Sequence, residues 1–473
     1  MTLIFILISI GLSVLLGVVI HNRWREQFLL VTSVLAIYAL QPVLPVRGMD
    51  FWFPTATLAL ASLTWIITSS PENRTWRTNL PSLLILIFMV LALGLTRYLG
   101  FSLYLTASNP PQIIQVLIGL AAIGLIALAL TRFSKNYNVV LISAMGLIIL
   151  LFVVLKVPIL ASLVSVLLRS LNHQSTSPAL AQDIRWLGFS YIAFRLLHTI
   201  RDRSTGRLPP VTLSEYMIYV IFFPALTAGP IDRIERFVGD LRHPLALAAD
   251  DIGESGKRVL VGLFKKFAVA DALALVALNA TNALQVRSAG WAWVLLYAFS
   301  LQIYFDFSGY TDIAIGLGRL LGVRLPENFN SPYLKPNLTQ FWNNWHMTLT
   351  QWFRAYFFNP VTRALRSGKK SLPIPVIIFL TQLATMVLIG LWHGVTLNFV
   401  AWGMWHGLGL FIHNRWSDLT RARFTTLSPR WHSILNIGGV LLTFNFVALG
   451  WVFFALPDLS SSTNYLRILF GLA

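Results

Sequence analysis

Imidazole is the side chain best suited to exchanging protons near neutral pH, and this sequence has nine, at positions 21, 173, 198, 243, 346, 393, 406, 413 and 432. Those at 21, 173, 243, 413 and 432 fall in or beside loops and need no special account. His346 does. It lies in Gln340-Phe341-Trp342-Asn343-Asn344-Trp345-His346-Met347-Thr348-Leu349-Thr350-Gln351-Trp352-Phe353-Arg354, whose amides, hydroxyls and indoles lipid cannot satisfy, so the segment must line protein or water. Read as a helix, it places Trp342, Trp345 and His346 on one face, and Trp345, Thr348 and Trp352 on another, an aromatic wall beside an imidazole. A belt of interfacial tryptophans around a hydrogen-bonded histidine is the plainer reading.

His393 ends the run Met386-Val387-Leu388-Ile389-Gly390-Leu391-Trp392 and precedes Gly394. The glycines let backbone come close, and a neutral imidazole buried beside an indole is a base ready to accept a proton; a satisfied core histidine fits the same segment. His406, in Gly403-Met404-Trp405-His406-Gly407, repeats the pattern just before a basic exit and reads as a packing or interfacial residue. Asp306 and Asp312 interrupt an apolar stretch, where a proton relay and a hydrogen-bonded support for a histidine are both open. There is no Gly-x-Ser-x-Gly, Walker loop or His-Glu-x-x-His, so hydrolase, NTPase and zincin readings have no local support. The His-x4-Asp spacing of His413 and Asp418 is one short match on a solvated exit, and we assign it to chance.

The elements that must position these residues are membrane helices. Of 473 residues, 56% are hydrophobic and only 11% charged, which excludes a soluble globular enzyme. Thr2 to Ile20, Phe51 to Ile67, Leu80 to Leu95, Ile113 to Leu130 and Val139 to Leu155 carry no Asp, Glu, Lys or Arg, and each has a length that crosses a bilayer as helix. The first stretch starts without basic residues and reads as a retained span, not a cleaved leader. Cysteine is absent, which removes disulfides, Cys-based zinc sites and a Cys-linked acyl intermediate. The formal charge of +18 gathers in short clusters between apolar segments, which fits positive-inside topology and not nucleic acid. Arg23/Arg25, Arg74/Arg77 and Arg132/Lys135 follow the first, third and fifth segments, against single basics at Arg47 and Arg97; this predicts an N-terminus outside.

Thirteen of the 18 acids lie between Asp183 and Glu327, and none between 328 and 417. The expected organisation is one membrane domain, with an N-terminal transmembrane scaffold over 1–175 and the functional region over 176–473. Ile231 to Gly256 is too charged to span, but Ile231, Ile234, Phe237, Val238 and Leu241 recur at helical spacing, which predicts an interfacial helix. Lys265 and Lys266 are expected to snorkel to headgroups as anchors. The fold class is an all-α polytopic membrane protein, with about 10 to 13 transmembrane helices.

Four blocks give the chain a resemblance to the membrane-bound O-acyltransferase family, in its bacterial branch of alginate O-acetylation and teichoic acid D-alanylation. They are Phe222 to Arg233, Phe305 to Pro332, Phe341 to Phe353 and Gly390 to Gly407, in family order. The resemblance implies re-entrant and interfacial helices around a central tunnel, in a multi-pass protein of the cytoplasmic (inner) membrane. It makes His393 the counterpart of the family's catalytic histidine and His346 that of its second essential histidine. Where the branch usually has Trp-x-Arg-Asp-Tyr, this chain reads Trp352-Phe353-Arg354-Ala355-Tyr356, so Arg354 lacks its usual carboxylate neighbour.

The implied reaction moves an acetyl or D-alanyl group from a cytoplasmic thioester, acetyl-CoA or an acyl carrier protein, to a hydroxyl of a cell-envelope or exported polysaccharide. No metal or tightly bound cofactor is expected. His393 would be the general base, and His346, with Asn343 or Trp345, would orient the thioester or donate to the oxyanion. Trp342 and Trp392 would support the substrate tunnel, and Asp306 is the candidate carboxylate for orienting the imidazoles. Expected partners are the bilayer, the acyl donor and an extracytoplasmic acyltransferase. Two rivals stand beside this reading: a proton-coupled transporter or flippase, and a non-catalytic relay scaffold.

Overall fold

In the computed structural model, which describes residues 3–19, 22–99, 105–132, 137–368, 372–424 and 427–472, every regular element among the described residues is a helix. The five charge-free stretches become Leu3–Val19, Met49–Thr68, Trp76–Leu95, Ile113–Arg132 and Tyr137–Lys156. Lys135, Thr2, Ile20 and His21 lie outside the described residues. Lipid offers no hydrogen bonds, so a helix that satisfies its own backbone is the form such sequences adopt. Six described helices are long and apolar enough to cross a membrane: Met49–Thr68, Trp76–Tyr98, Ile113–Arg132, Asn138–Lys156, Ile374–His393 and Pro429–Ala455. Asn22–Leu40, Ala289–Leu320 and Leu397–Phe424 have the length and carry charged residues as well. The chain is a multi-pass, all-helical membrane protein.

It divides into two compact units, Met1–Lys257 with Ala314–Leu325, and Arg258–Ile313 with Pro326–Ala473. In the first, every residue from Leu213 to Leu226 is buried. The helix Leu213–Ile221 opens on a reciprocal cap, in which Thr212 Oγ1 accepts from Glu215 N–H and the Glu215 carboxylate accepts from Thr212 N–H. It ends before Pro224, and the buried Arg195 guanidinium donates to the Val220 and Ala225 carbonyls at 2.8 and 2.9 Å. The Phe222 block is thus the packed centre of this unit. The amphipathic segment predicted from Ile231 is realised as the helix Ile234–Arg242, with Ile234, Phe237, Val238 and Leu241 buried.

The second unit is organised around charge as well as packing. Helix Ala249–Leu263 continues as a π-helical segment, Phe264–Ala270, carrying Lys265 and Lys266. Gly262 and Gly309 meet so closely that a Cβ on Gly262 would lie 2.6 Å from the Gly309 carbonyl oxygen. That approach places the lysines against the acids of Ala289–Leu320: Lys265 pairs with Asp312 at 2.7 Å, and Lys266 pairs with Asp306. The two lysines, expected from the sequence as anchors, thus also form intramolecular ion pairs. Arg258 completes the group, bound to Asp312 at 3.0 Å and to Glu327.

Removing one member of a desolvated ion pair leaves its partners uncompensated. Asp312→Leu should destabilise the protein, by less than the about 3–5 kcal/mol of a fully buried pair because Lys265 and Arg258 keep 26% and 32% of their side chains exposed, read as a lower unfolding midpoint in detergent. Adding Lys265→Met should recover part of the loss.

Candidate active site

The sequence pattern from Gln340 to Arg354 suggests one helix, and the structure breaks it at the candidate histidine. Helix Leu338–Asn344 is capped by Asn337, whose side chain accepts from Gln340 N–H, and it stops as Trp345 turns extended at φ −107°, ψ 127°. His346 follows in the left-handed region at φ 42°, ψ 52°, and a second helix, Met347–Phe353, begins after it. Trp342, Trp345 and His346 therefore do not share one helical face. Nor do Trp345, Thr348 and Trp352. For a residue with a Cβ, the left-handed conformation costs about 1–2 kcal/mol and persists only where surroundings enforce it.

The segment after Glu327 supplies that enforcement. Met347 N–H donates to the Asn328 carbonyl at 3.0 Å, and Asn330 N–H donates to the Asn344 carbonyl at 3.1 Å. Asn328 Oδ1 accepts from Thr348 N–H at 3.2 Å and from the Thr348 hydroxyl at 2.7 Å. Asn328 is fully buried. One asparagine thus meets backbone and side-chain groups that the interrupted helix would leave bare.

The turn aims the His346 ring into an aromatic enclosure. Its edge meets Phe307 at 4.7 Å between centroids, and Trp392 lies 6.2 Å away. The residue is buried, and neither ring nitrogen has a hydrogen-bond partner among the described residues. His393 ends the helix Ile374–His393 and packs against the same indole, 4.6 Å from Trp392, with Phe454 at 4.9 Å and Trp402 at 5.7 Å. Helix Leu397–Phe424 reaches His393 because Gly403 lets it press on its neighbour: a Cβ there would stand 2.6 Å from Val387 Cα.

The remaining predicted residues take different places. Trp342 is buried against Trp402 at 5.7 Å and His406 at 5.1 Å, with its Nε1 unpartnered. Trp345 turns to Tyr333, Phe329 and Trp451. Asn343 Oδ1 accepts from Arg354 Nη2 at 2.6 Å, so an amide stands where a carboxylate neighbour was missed in the sequence. Both line a cavity of about 210 Å³ with Trp342, Gln382, Thr385 and Asn414. Asp306 is taken by Lys266 and is half-exposed, and among the described residues no carboxylate is hydrogen-bonded to His346. The expected orienting role for Asp306 at His346 is replaced by packing of that ring between Phe307 and Trp392. Asp418 pairs with Arg415, in keeping with the chance reading of its spacing. His406 is fully buried among rings, a packing residue.

Sequence reasoning missed Asn328, Trp402, Trp451 and Phe454. Asn328 lay within the Phe305–Pro332 block, and a lone asparagine in a polar stretch carries no signal of what it will hold. Trp402 precedes Gly403 in the quoted Gly390–Gly407 block, where the two Trp-His pairs drew the reading away from it.

The family model described as "MBOAT, membrane-bound O-acyltransferase family" matches residues 117–456, which contain both histidines and Asn328. Probable alginate O-acetylase AlgI of Pseudomonas aeruginosa is 34% identical over 286 residues, 60% of this chain and 51% of that protein. Teichoic acid D-alanyltransferase of Streptococcus thermophilus is 30% identical over 291 residues, 58% of this chain and 68% of that one. Peptidoglycan O-acetyltransferase of Helicobacter pylori is 34% identical over 260 residues, 54% and 47%. The chain spans about half the length of the O-acetylase relatives it matches.

Asn328→Leu should strand the Thr348 donors in a buried site and cost about 1–3 kcal/mol, measured as a lowered unfolding midpoint in detergent. Asn328→Asp, which keeps the acceptor oxygen, should retain more of the stability.

Proposed function

Since the chain belongs to the membrane-bound O-acyltransferase family, we propose that it transfers an acyl group, of acetyl or D-alanyl type, from a cytoplasmic thioester to a hydroxyl of a cell-envelope or exported polysaccharide. Its place would be the cytoplasmic (inner) membrane. The observation that carries this reading is the pair of imidazoles that both meet the indole of Trp392, one of them buried among rings with both nitrogens unpartnered among the described residues. Buried polar groups are nearly always hydrogen-bonded, so an orphaned imidazole is a candidate for completing its bonds with substrate; His406 is orphaned in the same way among the described residues, and what singles out His346 is that it meets Trp392 together with a second imidazole, His393. The relatives' names point to alginate, teichoic acid and peptidoglycan as kinds of acceptor.

A thioester has a good leaving group, so three provisions suffice: a base, a stabiliser for the oxyanion and exclusion of water. His393, partly exposed at the end of its helix, takes the proton from the acceptor hydroxyl as that oxygen bonds to the thioester carbonyl carbon. The carbonyl π electrons move to oxygen, and a neutral His346 donates its one N–H to that oxyanion. On collapse the C–S bond breaks, and the thiolate leaves and recovers the proton held by His393. The rings of Trp392, Trp402 and Phe454 keep bulk water from the carbonyl. The thioester is a co-substrate, acetyl-CoA or a carrier protein, and the enzyme needs no resident cofactor for these steps.

Transfer of label from acetyl-CoA or a charged carrier protein to polysaccharide, in proteoliposomes, tests the proposal. His393→Ala should fall by about 10²–10⁴-fold, the usual worth of a positioned general base, while still inserting and folding. Undiminished transfer by that variant would overturn the assignment.

A further inference from the structure

In the first unit, the helices Met49–Thr68, Trp76–Leu95 and Ile113–Arg132 wall a cavity of about 680 Å³. The third helix touches the other two near its N-terminal half. Gly119 lies so close under Trp52 that a Cβ would stand 2.8 Å from the indole, and Val116 packs at 3.4 Å from the place a Cβ on Gly94 would take. At Gly124 the third helix stands off, and a Cβ there would meet nothing within 4 Å, before Leu130 packs against the core again. The helices gape there, and Gly124 lines the resulting groove.

The lining is graded. Leu83, Leu86, Ile87 and Val90 form one wall and Leu120 and Leu128 another, whereas the polar end holds Arg74, Thr75 and Asn79. Arg74 is the one charged residue of the lining among the described residues, held by Nε to Ser69 Oγ at 3.1 Å and by Nη2 to Ser69 O at 2.8 Å. Beside it, Trp76 is 67% exposed, as expected of an indole at headgroup level. From Trp76 to Val90 the wall runs about 21 Å at helical rise, somewhat more than one leaflet's half of a hydrocarbon core about 30 Å thick.

A long apolar slot closed at headgroup depth by a fixed cation has the polarity of a phospholipid. We propose that the groove is a phospholipid site, in which one acyl chain fills the gap between the three helices and the Arg74 guanidinium meets an anionic headgroup. The lipid would serve as the missing packing partner for Ile113–Arg132, of which Val116 alone is buried among the residues described. The inference stands apart from the acyl-transfer reading and involves neither histidine.

Native mass spectrometry of the full chain, released from vesicles of phosphatidylcholine with or without phosphatidylglycerol, tests it. Wild type should retain one lipid per chain and prefer phosphatidylglycerol. Arg74→Gln should lower that preference about fivefold, the worth of roughly one cation near anionic lipid. Gly124→Phe, whose ring enters the slot, should abolish retention of both lipids, while Gly124→Ala should retain them and so report that the helix is intact. Retention by Gly124→Phe equal to wild type, or no lipid held by wild type, would overturn the site; an unchanged preference in Arg74→Gln would overturn the headgroup assignment.

Discussion

Everything at the candidate active site depends on how a helix can be interrupted where water is scarce. An unsatisfied backbone group in an apolar setting costs several kcal/mol, so a break at Trp345 and His346 survives only if another segment supplies partners. Asn328 does so with both its carbonyl and its side chain, holding Met347 and Thr348 from the far side of the turn. The gain is orientation. A continuous helix would carry the imidazole round with its neighbours, whereas the left-handed residue turns it toward Phe307 and Trp392.

The second constraint is the close crossing of helices at glycines. Gly403 brings Leu397–Phe424 onto Ile374–His393, and this sets Trp402 against His393, His406 and Trp342 at once. Gly262 and Gly309 do the same for the lysines and aspartates of the second unit. In both places a small residue exchanges side-chain volume for proximity of the groups on the two helices. Rings then fill the space around the histidines. Such packing fixes the imidazoles without a carboxylate hydrogen-bonded to His346.

What was legible in the sequence follows from what is local. Uncharged runs such as Ile113 to Leu130 state their own helix, and Trp392 beside His393 states an indole against an imidazole. The amphipathic spacing from Ile231 likewise became a helix with its apolar residues inside. The break at His346 was not legible, because helical periodicity assumes a continuous backbone and the partner that stops it, Asn328, is distant in sequence. Asp306 misled for the same reason: its carboxylate looked available until the π-helical segment placed Lys266 on it. Arg354 does lack the adjacent carboxylate, and the sequence did not show that the amide receiving it lies eleven residues earlier, at Asn343 in the preceding helix.

The central claim is that Asn328 acts through the turn that orients His346. A double-substitution cycle on the single-turnover rate of acyl transfer tests it, using Asn328→Ala and His346→Asn alone and together. The account predicts strong non-additivity: Asn328→Ala slows transfer in the wild-type background but adds little once His346 is gone. An equal fold-loss from Asn328→Ala in both backgrounds would contradict it, and would make Asn328 a support for the fold with no particular bearing on the histidine.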